Sequence, residues 1–187
     1  MNTYDFDETI YIRDSSVAFY FDCLRKYPAA VVRTFPGTLW AAFRHAFGCI
    51  DTRTLKEQLF SFLRFIENID AVVADFWSRK FCLVGEWYLK QRKDDDVIIS
   101  ASPEFLLKPA AEKLNVRLIA TDMDKKTGHI QGKNCHDSEK VRRFYERFPE
   151  GHTEEFYSDS LSDSPMAGIA DRAYIVKKGS LSPWPEK

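Results

Sequence analysis

Hydrophobic and polar positions follow one pattern up to about residue 92 and another after it. Asp14-Ser15-Ser16 reads as a helix start, ahead of Val17, Phe21 and Leu24 on one face. Leu55, Leu59, Phe62, Leu63 and Ile66 keep the helical period, and so do Val73, Phe76, Trp77, Phe81, Val84 and Tyr88. The spacing predicts roughly four helices with no strand between them, punctuated at Pro28, Pro36-Gly37 and Asp51-Thr52-Arg53. Most Phe and Trp of this block are expected inside a helical-bundle core.

After Lys93-Asp94-Asp95-Asp96 the pattern changes. Val97-Ile98-Ile99 is a short continuous apolar run, as in a strand buried on both faces, and it ends in Ser100-Ala101-Ser102-Pro103. A helix follows through Leu106, Leu107 and Ala111, then a strand over Val116–Ala120 and a hairpin turn at Lys125–Gly128. Asp137-Ser138 is placed to cap a helix carrying Val141, Phe144 and Tyr145. Glu155-Phe156-Tyr157 leads into Ser158–Asp163, a short helix starts at Pro165, and Ala173–Val176 reads as the last strand. The Pro-rich stretch Leu181–Lys187 reads as a loose tail. With a short strand over residues 2–6, this alternation predicts an α/β, Rossmann-like parallel sheet with helices on both faces. The sheet domain would comprise residues 1–14 and 94–187, interrupted by an all-helical insert over residues 15–93.

Composition narrows the function classes. The chain has 187 residues, enough for one good core or for a domain with an insertion. Its 27 basic and 28 acidic side chains give a net charge of −1, so nothing global attracts nucleic acid or an anionic membrane. Cys23, Cys49, Cys82 and Cys135 are scattered without zinc-site spacing. With no signal-peptide pattern they read as reduced thiols of a cytoplasmic protein. No apolar run is long enough for an integral membrane span.

The chemistry gathers at predicted strand ends. Asp5-Phe6-Asp7-Glu8-Thr9 puts two carboxylates at i and i+2, on one side of an extended backbone. Such a pair asks for a cation or a shared proton. A plain turn, with Asp7 as a cap, accounts for the same five residues. Ser100 closes the next strand beside a helix N-terminus, where backbone N–H groups can hold an anion. Asp159 and Asp163 follow a later strand. Carboxylates meeting at one sheet edge call for a hard divalent cation, and oxygen-only ligands point to Mg²⁺. Lys140 lies in the first turn of its helix, where the macrodipole disfavours a cation, so it is expected to serve something other than that helix.

Asp5-x-Asp7-x-Thr9, Ser100 at a strand end, Lys140 and Asp159-x-x-x-Asp163, in that order, resemble the haloacid dehalogenase superfamily. The helical insert after the first motif is similar to the cap of subclass I. Asp14-Ser15, Ser102 and Asn134-Cys135 before Glu139-Lys140 are similar to the phosphoserine phosphatase branch. The resemblance implies Asp5 as nucleophile and Asp7 as general acid and base. It implies Mg²⁺ on the Asp5 carboxylate, the Asp7 carbonyl and Asp159, with Asp163 in support. Thr9, Ser100, Ala101 and Lys140 would bind phosphate. Asp14 would stand where the branch carries a substrate-contacting Glu, although a helix cap explains it as well. Ser158 replaces the family's usual Gly. The family lysine often stands at the place of His136, so Lys140 is taken as its equivalent, with Lys133 in reserve.

The function expected is hydrolysis of a small phosphomonoester, phosphoserine phosphatase-like. One alternative is a phosphatase of phospholipid head groups, against which no basic amphipathic stripe is visible in the sequence. Another is a non-catalytic phosphate-ligand binder, which could dispense with Asp7. His45, His129 and His152 have no nameable partner. Arg13, Arg33, Arg44 and Arg64 are open candidates for a second anionic group of the substrate. The sequence is silent on oligomeric state.

Overall fold

The computed structural model describes residues 1–185. At its centre β1 (Thr3–Tyr4) lies between β2 (Val97–Pro103) and β4 (Thr153–Ser158), parallel to both. β3 (Arg117–Thr121) and β5 (Ala170–Lys177) extend the sheet in parallel, giving the order β3-β2-β1-β4-β5-β6. β6 (Ser180–Pro183) is antiparallel to β5. It corrects the expectation of a loose tail over residues 181–187, of which Glu186 and Lys187 lie outside the described residues. Lys178 and Gly179 both take positive φ, +52° and +81°, which gives the two-residue turn the strand twist requires.

Each strand is buried as its composition dictates. Ile98 joins the buried cluster on one face of the sheet, while Val97 and Ile99 join the cluster on the other. On the first face lies α6 (Glu104–Leu114), ended by Asn115 in the left-handed region. On the second lie α7 (Ser138–Arg147) and α8 (Ser164–Ala167), with Phe144, Phe156 and Met166 between them and the sheet. Asp137 precedes α7 without the side-chain cap expected of it; its φ of +56° and ψ of −133° are not those of an N-cap.

Between β1 and β2 the chain forms α1 (Ser15–Lys26), α2 (Pro28–Ala46), α3 (Thr52–Phe60), α4 (Ile69–Lys80) and α5 (Glu86–Gln91). These five helices exceed the four expected, with short 3-10 turns at Ser61–Phe65 and Phe81–Leu83. The sequence places the caps well. Asp14, Asp51 and Asn68 accept hydrogen bonds from Val17, Thr54 and Ala71 N–H. Pro28 opens α2 as read, but Pro36-Gly37 does not interrupt it. Pro36 costs one backbone bond, on a stretch of α2 that faces water.

One buried cluster runs from these helices into the sheet. The Trp77 indole donates to Leu106 O at 2.6 Å, and Tyr4 stacks on Tyr157 while its edge meets Tyr88. α4 and α5 therefore share a core with the sheet. α3 joins it through Phe60 and is also tied by polar contacts. Arg53 donates to Ile130 O and Glu57 accepts from Ile130 N–H, both at 2.9 Å, on the hairpin bridged at Met123 and Ile130. Gly128, at the turn of that hairpin, has φ +79°, and a Cβ there would come within 2.6 Å of Phe60 O. Only glycine lets the hairpin approach this closely.

α2 inverts the usual arrangement. Its small residues Ala30, Val31, Thr38 and Ala41 face the protein, while Val32, Phe35, Leu39, Trp40, Phe43 and Phe47 face water. The expectation that most aromatics of the insert are core therefore fails for α2. It holds for Phe60, Phe62, Phe76 and Trp77. Among the described residues no helix is long and apolar enough to cross a membrane.

Candidate active site

The strand order reverses at β1: the chain runs outward through β2 and β3 on one side, then crosses to β4 and β5 on the other. The crevice at the carboxyl ends of the strands beside such a switch point is where ligands bind in open α/β sheets. Tyr4 is in register with Ile98 and Tyr157, so the residues just beyond them, Asp5, Ser100 and Asp159, emerge together. A cleft of about 370 Å³ opens there, lined on the sheet side by Asp5, Asp7, Ser100, Lys140, Asp159 and Asp163. α1 and α3 form the other wall, with Asp14, Ser16, Thr52, Leu55 and Lys56. A separate hollow of about 620 Å³ beyond Asp14, lined by Ile12, Phe21, Arg25 and Arg79, holds none of the strand-end carboxylates.

Lys140 organises the floor. Its ammonium donates to Asp5 Oδ1 at 2.6 Å and to Asp163 Oδ2 at 2.7 Å, fully out of water. Burial works against its charge, but Asp5 and Asp163 outweigh burial and hold its pKa above the ordinary lysine value. Asp5 is pushed up from the usual carboxylate range by burial, which Lys140 only partly offsets. Ser158 donates to Asp163 Oδ2 at 2.7 Å and accepts from Ser160 N–H. The serine in place of the family's glycine thus tightens this loop and leaves Asp159 in the cleft. Lys133 and His136 are both exposed, and His136 reaches only the edge of the cleft.

Asp7 is held by a different set. Its Oδ1 accepts from Ser15 N–H at 2.7 Å, at the positive end of α1, and its Oδ2 accepts from Ser102 Oγ at 2.5 Å. Ser102 also meets Ser16 Oγ at 2.9 Å, so buried serines couple β2 to α1 behind the carboxylate. Burial, then the nearby charge of Asp14, raises Asp7 to about 6. It can hold a proton close to neutral pH.

Several expected residues do other work. Thr9 accepts from Asp159 N–H at 2.9 Å, so its hydroxyl fixes the Asp159 loop and does not reach the cleft. Ala101 contributes backbone: its carbonyl accepts from Thr121 Oγ1 and from Lys56 Nζ, each at 2.7 Å. Asp14 both caps α1 and lines the cleft. The four carboxylates do not meet as one cluster, since Asp163 turns to Lys140 and Ser158 while Asp7 turns to Ser15 and Ser102. Among the described residues no three Asp, Glu, His or Cys side chains form a ready metal cage. The remaining cleft-facing pair is Asp5 and Asp159, and burial raises Asp159 as well. Two carboxylates on one cleft, of which Asp5 has one oxygen on Lys140, suit a hard divalent cation that keeps several waters.

Lys56 is the residue the sequence did not single out. It reaches from α3 across the cleft to Ala101 O and, at 3.2 Å, to Asn134 Oδ1. Burial lowers its pKa, opposed by Asp7 and Asp14. No short motif surrounds it, and only the docking of α3 on the hairpin brings it inside.

Comparison with known proteins fits this geometry. Residues 3–168 match the family of haloacid dehalogenase-like hydrolases. Protein CicA of Caulobacter vibrioides is 29% identical over 94% of this chain and 86% of its own length. A Bordetella pertussis protein of unknown function superposes with a TM-score of 0.72 at 21% identity, over 92% of this chain and 87% of its own. A phosphoserine phosphohydrolase-like protein of Francisella tularensis gives 0.58 at 16% identity, over 92% and 86%. A phospho-aspartyl intermediate analogue of phosphoserine phosphatase gives 0.53 at 15%, over 91% and 83%. These likenesses extend the fold beyond the motif residues, and the family match spans β1 to β4, the switch point and both walls of the cleft. The chain belongs to the haloacid dehalogenase-like hydrolase family.

Proposed function

We propose that this hydrolase is a Mg²⁺-dependent phosphatase of a small phosphomonoester, working through an aspartyl-phosphate on Asp5. One observation carries the reading. Two carboxylates, Asp5 buried and Asp7 half-buried, stand at the switch point with different partners, Asp5 on Lys140 and Asp7 on the α1 terminus. Paired carboxylates in unlike environments divide into nucleophile and proton carrier.

Asp5 attacks phosphorus, and the bond to the ester oxygen breaks. Asp7, holding a proton near neutral pH, delivers it to the leaving oxygen and frees the alcohol. The Asp7 carboxylate then takes a proton from water, whose oxygen displaces Asp5 and releases inorganic phosphate. Lys140 and Ser100 stabilise charge on the phosphoryl oxygens. Asp5, Asp159 and the Asp7 carbonyl are the groups that would hold Mg²⁺, which supplies further neutralisation of phosphoryl charge when bound. The helical wall over the cleft acts as the lid, and its Lys56 faces an anionic group of the substrate.

Phosphate release from a panel of phosphomonoesters, p-nitrophenyl phosphate and phosphoserine included, tests this with Mg²⁺ and then EDTA. Release that needs Mg²⁺ and disappears in Asp5→Asn is expected. An active Asp5→Asn protein would sink the mechanism.

A further inference from the structure

The outward face of α2 is left unexplained by the cleft. On an ideal helix Val32, Phe35, Leu39, Trp40, Phe43 and Phe47 fall within an arc of about 140°. The inward residues Ala30, Val31, Thr38 and Ala41 take the opposite side. Trp40 is 61% exposed and Phe47 70%, although the same helix has small side chains to spare for its wet face. Trp40 stacks on Phe43, which in turn touches Phe47, so the stripe is a continuous aromatic ridge. Its flank is basic. Arg33 and Arg44 are exposed beside the arc, and Arg33 lies over the ring of the half-exposed Phe65. From Cys23 to Ile50 there is no acidic residue, and of its cations Lys26 is taken up by Asp75 and Asp22, which leaves Arg33 and Arg44 beside the ridge.

We propose that α2 is a membrane-docking helix that seats its aromatic ridge in the interface of an anionic lipid surface. Trp, Phe and Leu on one face with arginines along its edge are what an interfacial helix needs: rings at the head-group level and cations on lipid phosphates. A second copy of the chain is the poorer occupant. An isologous pairing of this ridge would bring two wholly basic flanks together, whereas anionic head groups neutralise them. The chain's net charge near zero hides this local asymmetry. α2 leads through Phe47–Asp51 directly into α3, whose Thr52, Leu55 and Lys56 line the cleft. Docking and substrate recognition thus share one wall.

Flotation of the full chain with phosphatidylglycerol-containing vesicles, against pure phosphatidylcholine vesicles, tests the docking without using catalysis. Its failure would leave the hydrolase reading untouched. Binding to the anionic vesicles is expected, weakened by salt and accompanied by a blue shift of tryptophan emission. The double variant Trp40→Glu/Phe43→Glu should partition roughly tenfold less or worse, with unchanged thermal unfolding and unchanged p-nitrophenyl phosphate hydrolysis. No flotation by the native chain, or equal flotation by the variant, overturns the proposal. A dimer that the variant dissolves, with no vesicle binding, overturns it in favour of self-association.

Discussion

The two walls of the cleft are built on opposite principles. The sheet wall is rigid and self-satisfied: Lys140 bridges Asp5 and Asp163, Ser158 braces Asp163, and Ser102 and Ser15 hold Asp7. The helical wall presents one half-buried cation, Lys56, on a helix anchored in the core at its C-terminal Phe60 and tied by Arg53 and Glu57 to a single hairpin residue. A network whose members all constrain one another suits bond-making chemistry, which tolerates little displacement. The helical wall instead sets a cation, Lys56, opposite the carboxylates, which suits recognition of an anionic substrate group.

Substitutions on the sheet wall should therefore be the most damaging. Asp5→Asn is expected to lower turnover by at least about three orders of magnitude, read as phosphate release, because no other group can form the covalent intermediate. Lys140→Met should cost about 3–5 kcal/mol in denaturant unfolding, since it strands Asp5 and Asp163 buried and unpaired. If Lys140→Met unfolded like the native chain, the floor would not be the coupled unit described.

Asp7 should behave in the opposite sense for stability. Its pKa of about 6 in the folded chain lies above the ordinary 3.8, so the folded state binds the extra proton between those values. Stability from this group is present at acid pH and lost as pH rises through about 6. In EDTA, Asp7→Asn should then stabilise the fold by up to about 3 kcal/mol at pH 7.5 and by little near pH 4. Thermal melts across that range read the sign directly.

The helical wall should yield smaller and differently distributed effects. Lys56→Met is expected to raise KM about tenfold for an anionic ester, with kcat less affected, as loss of a ground-state contact would give. Glu57→Ala removes one fastener of α3, about 1 kcal/mol. It should appear as faster amide exchange in α3, with little change in global unfolding. A kcat collapse in Lys56→Met would erase the distinction between the walls.

What could be read from the sequence divides along the same line. Asp5, Asp7, Asp159 and Asp163 lie just beyond β1 and β4, where short local patterns place them, while Ser100 falls inside β2 at its irregularity and not at a strand end beside a helix as expected. Their partners Ser102 and Lys140 were also within reach of those patterns. The division of labour among the carboxylates was not, because which oxygen meets which donor is decided only in the folded crevice. Lys56 was hidden for the same reason: a lysine on a helix reads as solvated until a distant hairpin pulls that helix down. α2 shows a further limit. Periodicity reports that a helix has two faces, and only packing decides that Ala30 and Ala41 turn inward while Trp40 and Phe43 turn out. β6 was missed because Lys178-Gly179 is a weaker turn signal than Asn-Gly or Asp-Gly.

The measurement that bears most directly on the mechanism is peptide mass mapping of the chain quenched in acid during turnover of an active ester with Mg²⁺. Asp7→Asn should be run alongside to slow release of the intermediate. One added phosphoryl group on the peptide containing Asp5, absent in EDTA and in Asp5→Asn, is the predicted result. Steady phosphate release with no phosphoryl group on that peptide, or with one on another residue, would contradict it.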